Sequence, residues 1–110
     1  RLTRAIVDLE AGRRLSERMS EVAGFGALPS VEGSMAKLFS SEALVRASAG
    51  LLDTLGAAGV LSVGATGAPA AGWLEFMHRH AQVTTIRAGT SEIQRSIIAE
   101  RGLGLPRSGR

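Results

Sequence analysis

The stretch AGTSEIQRSIIAER, residues 88–101, carries the clearest structural signal in the chain. Its start combines Gly89 with Thr90, and apolar residues then follow at helical spacing: Ile93, Ile97 and Ile98. Glycine permits backbone conformations that other residues avoid, and a threonine hydroxyl can cap the first turn of a helix. The open N–H groups and dipole of such a helix start favour an anion. Taken alone, these residues indicate an ordinary capped helix.

Helical periodicity extends over most of the remaining chain. It predicts helices over about residues 2–23, 31–56 and 71–81, and a last helix from residue 90 or 91 to about 101. One apolar stripe in the first helix consists of Leu2, Ala5, Ile6, Leu9, Met19, Val22 and Ala23. The stripe of the second helix consists of Met35, Leu38, Val45, Ala49 and Leu52. In the second helix, Glu42 is also spaced to pair with Arg46 one turn later.

Glycine, proline and β-branched residues mark the breaks between these helices. Residues 24–30 form a predicted loop, and residues 56–72 form a long irregular connection. A run of β-branched residues predicts an extended segment over 83–89. The resulting fold class is all-α: four helices of unequal length in an antiparallel bundle, forming one domain over residues 1–110.

The composition restricts the classes of function. The 110 residues include no cysteine, which excludes disulfides and thiolate metal sites and is typical of a reducing compartment, so we expect a cytoplasmic protein. The formal charge is only +3 and no aromatic residues interleave the basic ones, which disfavours nucleic-acid binding. The weakly charged stretch 47–73 lacks the bulk of a membrane span. His78 and His80 are not neighbours on a helix face, so no metal site is predicted.

Several motifs, in the same order, resemble the acyl-CoA dehydrogenase family. Gly89–Arg95, followed by Ile98–Arg101 and Leu103–Arg107, resembles the C-terminal signature of that family. The stretch Gly33–Glu42 is similar to the second long helix of the family's C-terminal domain. Leu55–Gly59 is similar to a glycine-rich turn that follows it. Together the motifs cover most of the chain beyond its first helix.

The resemblance implies an FAD-dependent enzyme that oxidises acyl-CoA thioesters to trans-2-enoyl-CoA. A carboxylate removes the α-proton while the β-hydrogen leaves as hydride to the flavin, and an electron-transfer flavoprotein accepts the electrons. Such enzymes also have an N-terminal helical domain and a middle β-domain. The chain begins inside a helical pattern without Met and resembles the C-terminal four-helix bundle lacking its first helix. We therefore expect a segment that is inactive alone and a whole protein that forms homo- or hetero-oligomers.

The resemblance also implies binding roles for individual residues. Gly89 lies where the family has a glycine beside the acyl-CoA thioester, and Thr90 and Glu92 lie where the signature contacts FAD. Asp53 and Gly56 lie where the second helix and its turn reach the FAD of a neighbouring subunit. The family often has glutamine at the position of Asp53, and a carboxylate there would repel a pyrophosphate. A solvated residue or a local cap is an equal interpretation of Asp53.

Ala88 is the most important departure from the family pattern. In many members a catalytic glutamate immediately precedes the Gly-Thr pair, and alanine cannot take a proton. Some members keep the base on an earlier helix, and others pair a chain without a base with a catalytic one. Glu92 and Glu100 are the nearest carboxylates, but they lie in and beyond the first helical turn. The base is therefore predicted to lie upstream of Arg1 or on a partner chain.

Three interpretations of the function remain open. The chain is the C-terminal part of an FAD-dependent acyl-CoA dehydrogenase, or it is a non-catalytic subunit of a heteromeric one. Alternatively, it belongs to an acyl-CoA oxidase, in which oxygen accepts the electrons. The sequence of this segment does not identify the acyl chain, because we expect the determinants of chain length and branching largely in other segments of such enzymes.

Overall fold

The computed structural model describes residues 2–28 and 30–107, which contain helices and no β-strand. The four α-helices are α1 (Leu2–Gly24), α2 (Ser30–Leu55), α3 (Trp73–Thr84) and α4 (Ser91–Ile97). A 3₁₀ turn, Gly56–Val60, and a tight turn, Pro69–Gly72, in which Ala70 and Ala71 have left-handed backbone, lie between α2 and α3. A π-helical turn, Ile98–Gly102, follows α4. The all-α prediction is confirmed. Pro29 of the predicted 24–30 loop lies outside the described residues.

Helix α2 is the central helix and contacts each of the other three. Asp8 near the start of α1 contacts Arg46 late in α2, while a Cβ at Gly12 would lie 3.2 Å from the Ser40 hydroxyl. Since the later residue of α1 lies beside the earlier residue of α2, the two helices run antiparallel. On the other side of α2, Ser48 contacts His78 and Lys37 reaches Thr85, so α2 and α3 are antiparallel as well.

Small residues, rather than the predicted stripe, form the buried face of α2. The buried positions are Ser34, Ala36, Ser41, Ala43 and Ser48, whereas Met35 is exposed. The three serines are spaced by seven residues, about two helical turns, so they share one face. Each serine hydroxyl donates to a carbonyl within the preceding turn of α2 and so remains satisfied when buried. The small side chains let the neighbouring helices approach α2 closely.

Helix α1 meets α2 through only part of the predicted apolar stripe, because Ala5, Met19 and Val22 are half-buried whereas Leu2, Ile6 and Leu9 are exposed. Asp8 is buried there, with its carboxylate 3.2 Å from Arg46 and 3.5 Å from Arg4. A buried carboxylate needs such partners, because removing a charge from water is unfavourable unless it is paired. The consequence is that large apolar side chains of α1 lie on the open side of the bundle, each 58–75% exposed: Leu2, Ile6, Val7 and Leu9.

This exposed apolar face predicts that the chain self-associates, because contiguous apolar surface of this kind is buried by partners. We expect sedimentation velocity to show dimers or larger species that dissociate on dilution. Leu9→Glu places a charge in the face and should shift the population towards monomer. Leu28→Glu is the matched control, because Leu28 is 92% exposed but lies in the loop after α1. A monomer at every concentration would contradict the prediction.

The segment predicted to be extended, residues 83–89, is not extended. Helix α3 continues to Thr84, and the chain then turns. The threonine hydroxyls explain why the β-branched residues remain helical: Thr84 donates to the Ala81 carbonyl at 2.6 Å, and Thr85 donates to the Gln82 carbonyl at 2.8 Å. Ala81 is fully buried, which anchors this end of α3 in the bundle.

The predicted pair between Glu42 and Arg46 is also wrong. Arg46 turns to Asp8 of α1, and Glu42 instead accepts a hydrogen bond from Arg95 of α4 at 2.6 Å. Both side chains of α2 therefore link different helices rather than neighbouring turns of the same helix.

The helical segment Ser30–Val60 is long and apolar enough to cross a membrane by length and composition alone. Its position offers another reason for that composition. Because α2 packs against α1, α3 and α4, an apolar sequence is what the central helix of a bundle requires.

Candidate functional site

The turn between α3 and α4 contains two consecutive residues with left-handed backbone. Ala88 has φ 55° and Gly89 has φ 94°. Alanine in this region is strained by about 1–2 kcal/mol, because its Cβ crowds the following carbonyl. The N–H of Ser91 donates to the Thr85 carbonyl at 3.1 Å and closes the turn. We call residues 85–91 the elbow.

Two side chains from outside the turn hold the elbow carbonyls. The Lys37 ammonium of α2 donates to the Gly89 carbonyl at 2.5 Å and to the Thr85 carbonyl at 3.3 Å. The Gln94 amide of α4 donates to the Ala88 carbonyl at 3.0 Å, and Gln94 is only 6% exposed. A Cβ at Gly89 would lie 2.6 Å from Gln94 Nε2, so this position requires glycine for space as well as for φ.

Thr90 caps α4, as its place in the sequence predicted. Its Oγ1 accepts a hydrogen bond from the Ile93 N–H at 3.4 Å. The hydroxyl also bonds to the Glu92 carboxylate, and this bond is the main cause that lowers the pKa of Glu92. The N–H of Glu92 itself and the positive charges of Arg95 and Lys37 lower that pKa further. Glu92 is exposed, so the elbow presents an ionised carboxylate to solvent at neutral pH.

No side chain at the elbow is suited to remove a proton from an acyl substrate. A general base works best with a pKa near the working pH, and that of Glu92 is lowered instead. Glu100, beyond α4, lies 3.2 Å from Arg107. On α1, the hydrogen bond from Arg13 is the largest cause that lowers the pKa of Glu10 to about 2. Asp8 faces Arg46, nine residues along α2 from Lys37, which is a separation of about 14 Å.

The two histidines have separate environments. His78 Nδ1 lies 3.2 Å from the Ser48 hydroxyl, and His80 stacks on Phe76 with ring centroids 6.0 Å apart. The Ser48 hydroxyl also lies 3.1 Å from the Val45 carbonyl, and Ser48 is buried, so these contacts satisfy it within the bundle. Within residues 2–28 and 30–107, no cluster of three or more His, Cys, Asp or Glu could hold a metal ion.

Two cavities lie away from the elbow, between α1 and α2. Their volumes are about 650 and 280 Å³, and Asp8 and Ala47 line both. Their walls are otherwise largely apolar and belong to the same open side that exposes the α1 leucines.

The sequence model of the acyl-CoA dehydrogenase C-terminal domain matches residues 1–103. The chain belongs to the acyl-CoA dehydrogenase family. The curated acyl-CoA dehydrogenase FadE26 of Mycobacterium tuberculosis is 40% identical over 79 residues, which is 72% of this chain and 20% of that protein. The chain thus spans about a fifth of the length of this curated relative.

Solved structures also contain a similar bundle. The steroid acyl-CoA dehydrogenase Tcur3481-Tcur3483 is 33% identical with a TM-score of 0.91, over 97% of this chain and 28% of that one. The ChsE4-ChsE5 complex from Mycobacterium tuberculosis is 33% identical with a TM-score of 0.73, over 96% of this chain and 29% of that one. The agreement includes the α3–α4 region, because both comparisons cover nearly the whole chain.

Within this acyl-CoA dehydrogenase segment, the predicted cofactor residues form two separate groups. Thr90 and Glu92 lie beside Gly89 at the elbow, which Lys37 attaches to α2. Asp53 and Gly56 are exposed at the far end of α2. Asp53 follows Lys37 by sixteen residues, about 24 Å along the helix. One chain therefore does not bring the two groups together at one site.

Gly56 ends α2 with φ 60°, and no atom lies within 4 Å of the position that a Cβ would take there. A left-handed glycine after the last helical residue is the usual way to end a helix, which accounts for Gly56 without a ligand. The open space also leaves its backbone accessible.

Lys37 and Gln94, which hold the elbow carbonyls, are the residues that the sequence analysis did not identify. A signal for Lys37 was present, because it is the single charged residue between Glu32 and Glu42. An isolated lysine in an apolar helical stretch indicates a specific acceptor. Gln94 gave no comparable signal, because glutamine is common on exposed helix faces.

Proposed function

We propose that the chain is the C-terminal segment of an FAD-dependent acyl-CoA dehydrogenase that converts an acyl-CoA to its trans-2-enoyl-CoA in the cytoplasm. The match of residues 1–103 to the C-terminal domain of this family carries the proposal. The segment contributes the elbow, FAD contacts and part of an oligomer interface. Gly89 lies beside the thioester in this assignment, and the base lies outside residues 1–110.

The proposed substrate class is the CoA thioester of a bulky acyl group such as a steroid side chain. The Tcur3481-Tcur3483 neighbour is named as a steroid acyl-CoA dehydrogenase.

A heteromeric assembly is the proposed quaternary state. Both solved neighbours are named as assemblies of two different chains, Tcur3481 with Tcur3483 and ChsE4 with ChsE5. The exposed apolar side of α1 gives this chain a surface for such an assembly. Ala88 favours a second candidate, a non-catalytic subunit in which the partner chain provides the base.

The chemistry of the predicted FAD residues fits the cofactor at the elbow better than at the end of α2. The hydroxyl of Thr90 and the exposed carboxylate of Glu92 could bond to sugar hydroxyls or to N–H groups of FAD. The accessible backbone at Gly56 also fits a ligand. The carboxylate of Asp53 would repel a pyrophosphate, so we assign it no contact with that group. When bound, FAD supplies the hydride acceptor.

We expect the chain alone to bind FAD weakly, with a Kd no tighter than about 100 μM, because it supplies only polar contacts at helix ends. Titration of FAD fluorescence with the purified chain measures this. Stoichiometric binding at micromolar concentrations would show that the bundle itself holds a complete flavin site.

The whole protein, purified with and without its partner chain, tests the proposed function. We expect a bound flavin that loses its visible absorbance when a steroid acyl-CoA is added anaerobically. Reduction only in the presence of the partner would favour the non-catalytic-subunit candidate. In aerobic turnover, electrons should pass to electron-transfer flavoprotein, and rapid oxygen consumption would identify an acyl-CoA oxidase instead. A flavin that no acyl-CoA reduces, with or without the partner, would contradict the proposal.

A further inference from the structure

Lys37 has no role in the function proposed so far, yet it makes the longest-range polar contact to the elbow. Its ammonium is part-buried and bonds to two carbonyls, those of Thr85 and Gly89, which lie 48 and 52 residues later in the chain. An ammonium has three donors and no acceptor, so carbonyl oxygens are suitable partners for it. Lys37 reaches these two carbonyls because α2 and the elbow pack together.

The elbow depends on contacts of this kind. Ala88 has a left-handed backbone conformation that its Cβ disfavours. The conformational preference of Ala88 therefore does not stabilise the turn. Three carbonyls of the elbow accept hydrogen bonds from specific donors. The Thr85 carbonyl accepts from Lys37 and from the Ser91 N–H. The Ala88 carbonyl accepts from Gln94, and the Gly89 carbonyl accepts from Lys37. Strained backbone persists where surrounding contacts over-determine it.

We propose that Lys37, assisted by Gln94, is a positioning residue that sets the elbow relative to the acyl-CoA thioester. This inference takes the identity of the substrate from the proposed function. The geometry of the elbow is independent of that proposal. Lys37 needs no contact with substrate or flavin for this role. It acts through the Gly89 carbonyl and thereby fixes the backbone of Gly89 and Thr90.

Lys37→Met in the whole protein, assembled with its partner, tests this role. The substitution keeps an unbranched side chain of nearly the same length and removes the donors. We expect the rate of flavin reduction at saturating acyl-CoA to fall by about 10–100-fold, while the flavin content and the acyl-CoA concentration for half-saturation change little. Misplacing a reacting group by about 1 Å produces losses of this size.

Arg46→Met is the matched control, because Arg46 is also a cation of α2 that reaches another helix, but it contacts Asp8 of α1. It should lower the melting temperature and leave the reduction rate within about threefold of the wild type, well short of the loss expected from misplacement. Equal effects of both variants on the rate would overturn the proposal. Lys37→Arg should give an intermediate rate, because a branched guanidinium cannot place one nitrogen between both carbonyls. It replaces Lys37→Met if that variant does not fold, and an unchanged rate would then overturn the proposal.

Hydrogen exchange separates failure of this inference from failure of the proposed function. Lys37→Met should accelerate exchange of the Ser91 amide, which donates to Thr85, and Arg46→Met should not. If the wild-type flavin is not reduced by any acyl-CoA, the proposed function fails while this structural result still supports Lys37. Unchanged exchange in Lys37→Met would overturn the positioning role whatever the enzyme does.

Discussion

Gly72→Ala should destabilise the bundle by roughly 2–5 kcal/mol, the sum of a backbone strain and a steric overlap. Gly72 is buried, has φ 79° and precedes α3. A Cβ there would lie 2.3 Å from the Val63 nitrogen and 2.4 Å from the Ser62 carbonyl carbon. Both atoms belong to the backbone, so no flexible side chain can move aside.

Gly64→Ala isolates the steric part of this effect. Gly64 has φ 87°, similar to that of Gly72, but no atom lies within 4 Å of its hypothetical Cβ. It should therefore lose only the strain of about 1–2 kcal/mol. Thermal unfolding followed by circular dichroism measures both variants, with Gly72→Ala expected to melt roughly 10 °C or more below the wild type. Equal melting temperatures for the two variants would show that the backbone at Gly72 is not as close to Val63 as the structure places it.

Gly89→Ala should have the second largest effect, because it disrupts the elbow from within. The new Cβ would lie 2.6 Å from Gln94 Nε2, and Gly89 has φ 94°. The strain of about 1–2 kcal/mol and the loss of the bond from Gln94 to Ala88, about 1 kcal/mol, together predict roughly 2–3 kcal/mol. Gly26→Ala is the control, with φ 76° and open space around its position.

A double substitution tests the stated cause of the Gly89→Ala effect. Combining it with Gln94→Ala removes the clashing amide, so the two changes should together cost about 1 kcal/mol less than their sum. In the whole protein, Gly89→Ala should also slow flavin reduction by about 10²-fold, since the proposed thioester contact moves. Additive free energies of unfolding would contradict the clash with Gln94.

The existence and type of the helices could be predicted because they depend on local properties. Helical spacing of apolar residues located all four, and Gly56 ends α2 with the left-handed backbone that glycine favours. The cap by Thr90 was also predictable, because a threonine side chain reaches its own first helical turn. The Thr90 hydroxyl is also the largest cause of the lowered pKa of Glu92, which lies in the same first helical turn.

The orientation of the helices could not be predicted, because it depends on contacts between distant residues. The periodicity of α1 assigned Leu2, Ile6 and Leu9 to its buried stripe, but they are exposed, whereas Asp8 is buried against α2 with Arg46 as its partner. Thr84 and Thr85 favour extended backbone in isolation, but hydroxyl bonds to carbonyls of the preceding turn keep them out of it. In both cases a specific polar contact outweighs a weak local preference.

The elbow illustrates the same limit at the candidate site. The positions of Gly89, Thr90 and Glu92 at the start of α4 were evident from the sequence motif. Their attachment to α2 through Lys37 was not evident, because Lys37 and the Gly89 carbonyl that accepts its hydrogen bond are 52 residues apart. The placement of Asp53 and Gly56 far from the elbow likewise follows from the length of α2 as a continuous helix.

The rate of anaerobic flavin reduction in the whole protein, assembled with its partner, tests most directly whether this segment positions the substrate without removing its proton. Four carboxylates of the segment are changed singly to the amide: Asp8→Asn, Glu10→Gln, Glu92→Gln and Glu100→Gln. In every variant that still binds FAD and acyl-CoA, we expect the flavin to be reduced at a rate within about tenfold of the wild type. Removing a true general base would lower that rate by about 10²–10⁴-fold. A loss of that size in any one variant, with FAD and acyl-CoA still bound, would place the base inside the segment and contradict its assignment to an upstream helix or a partner chain.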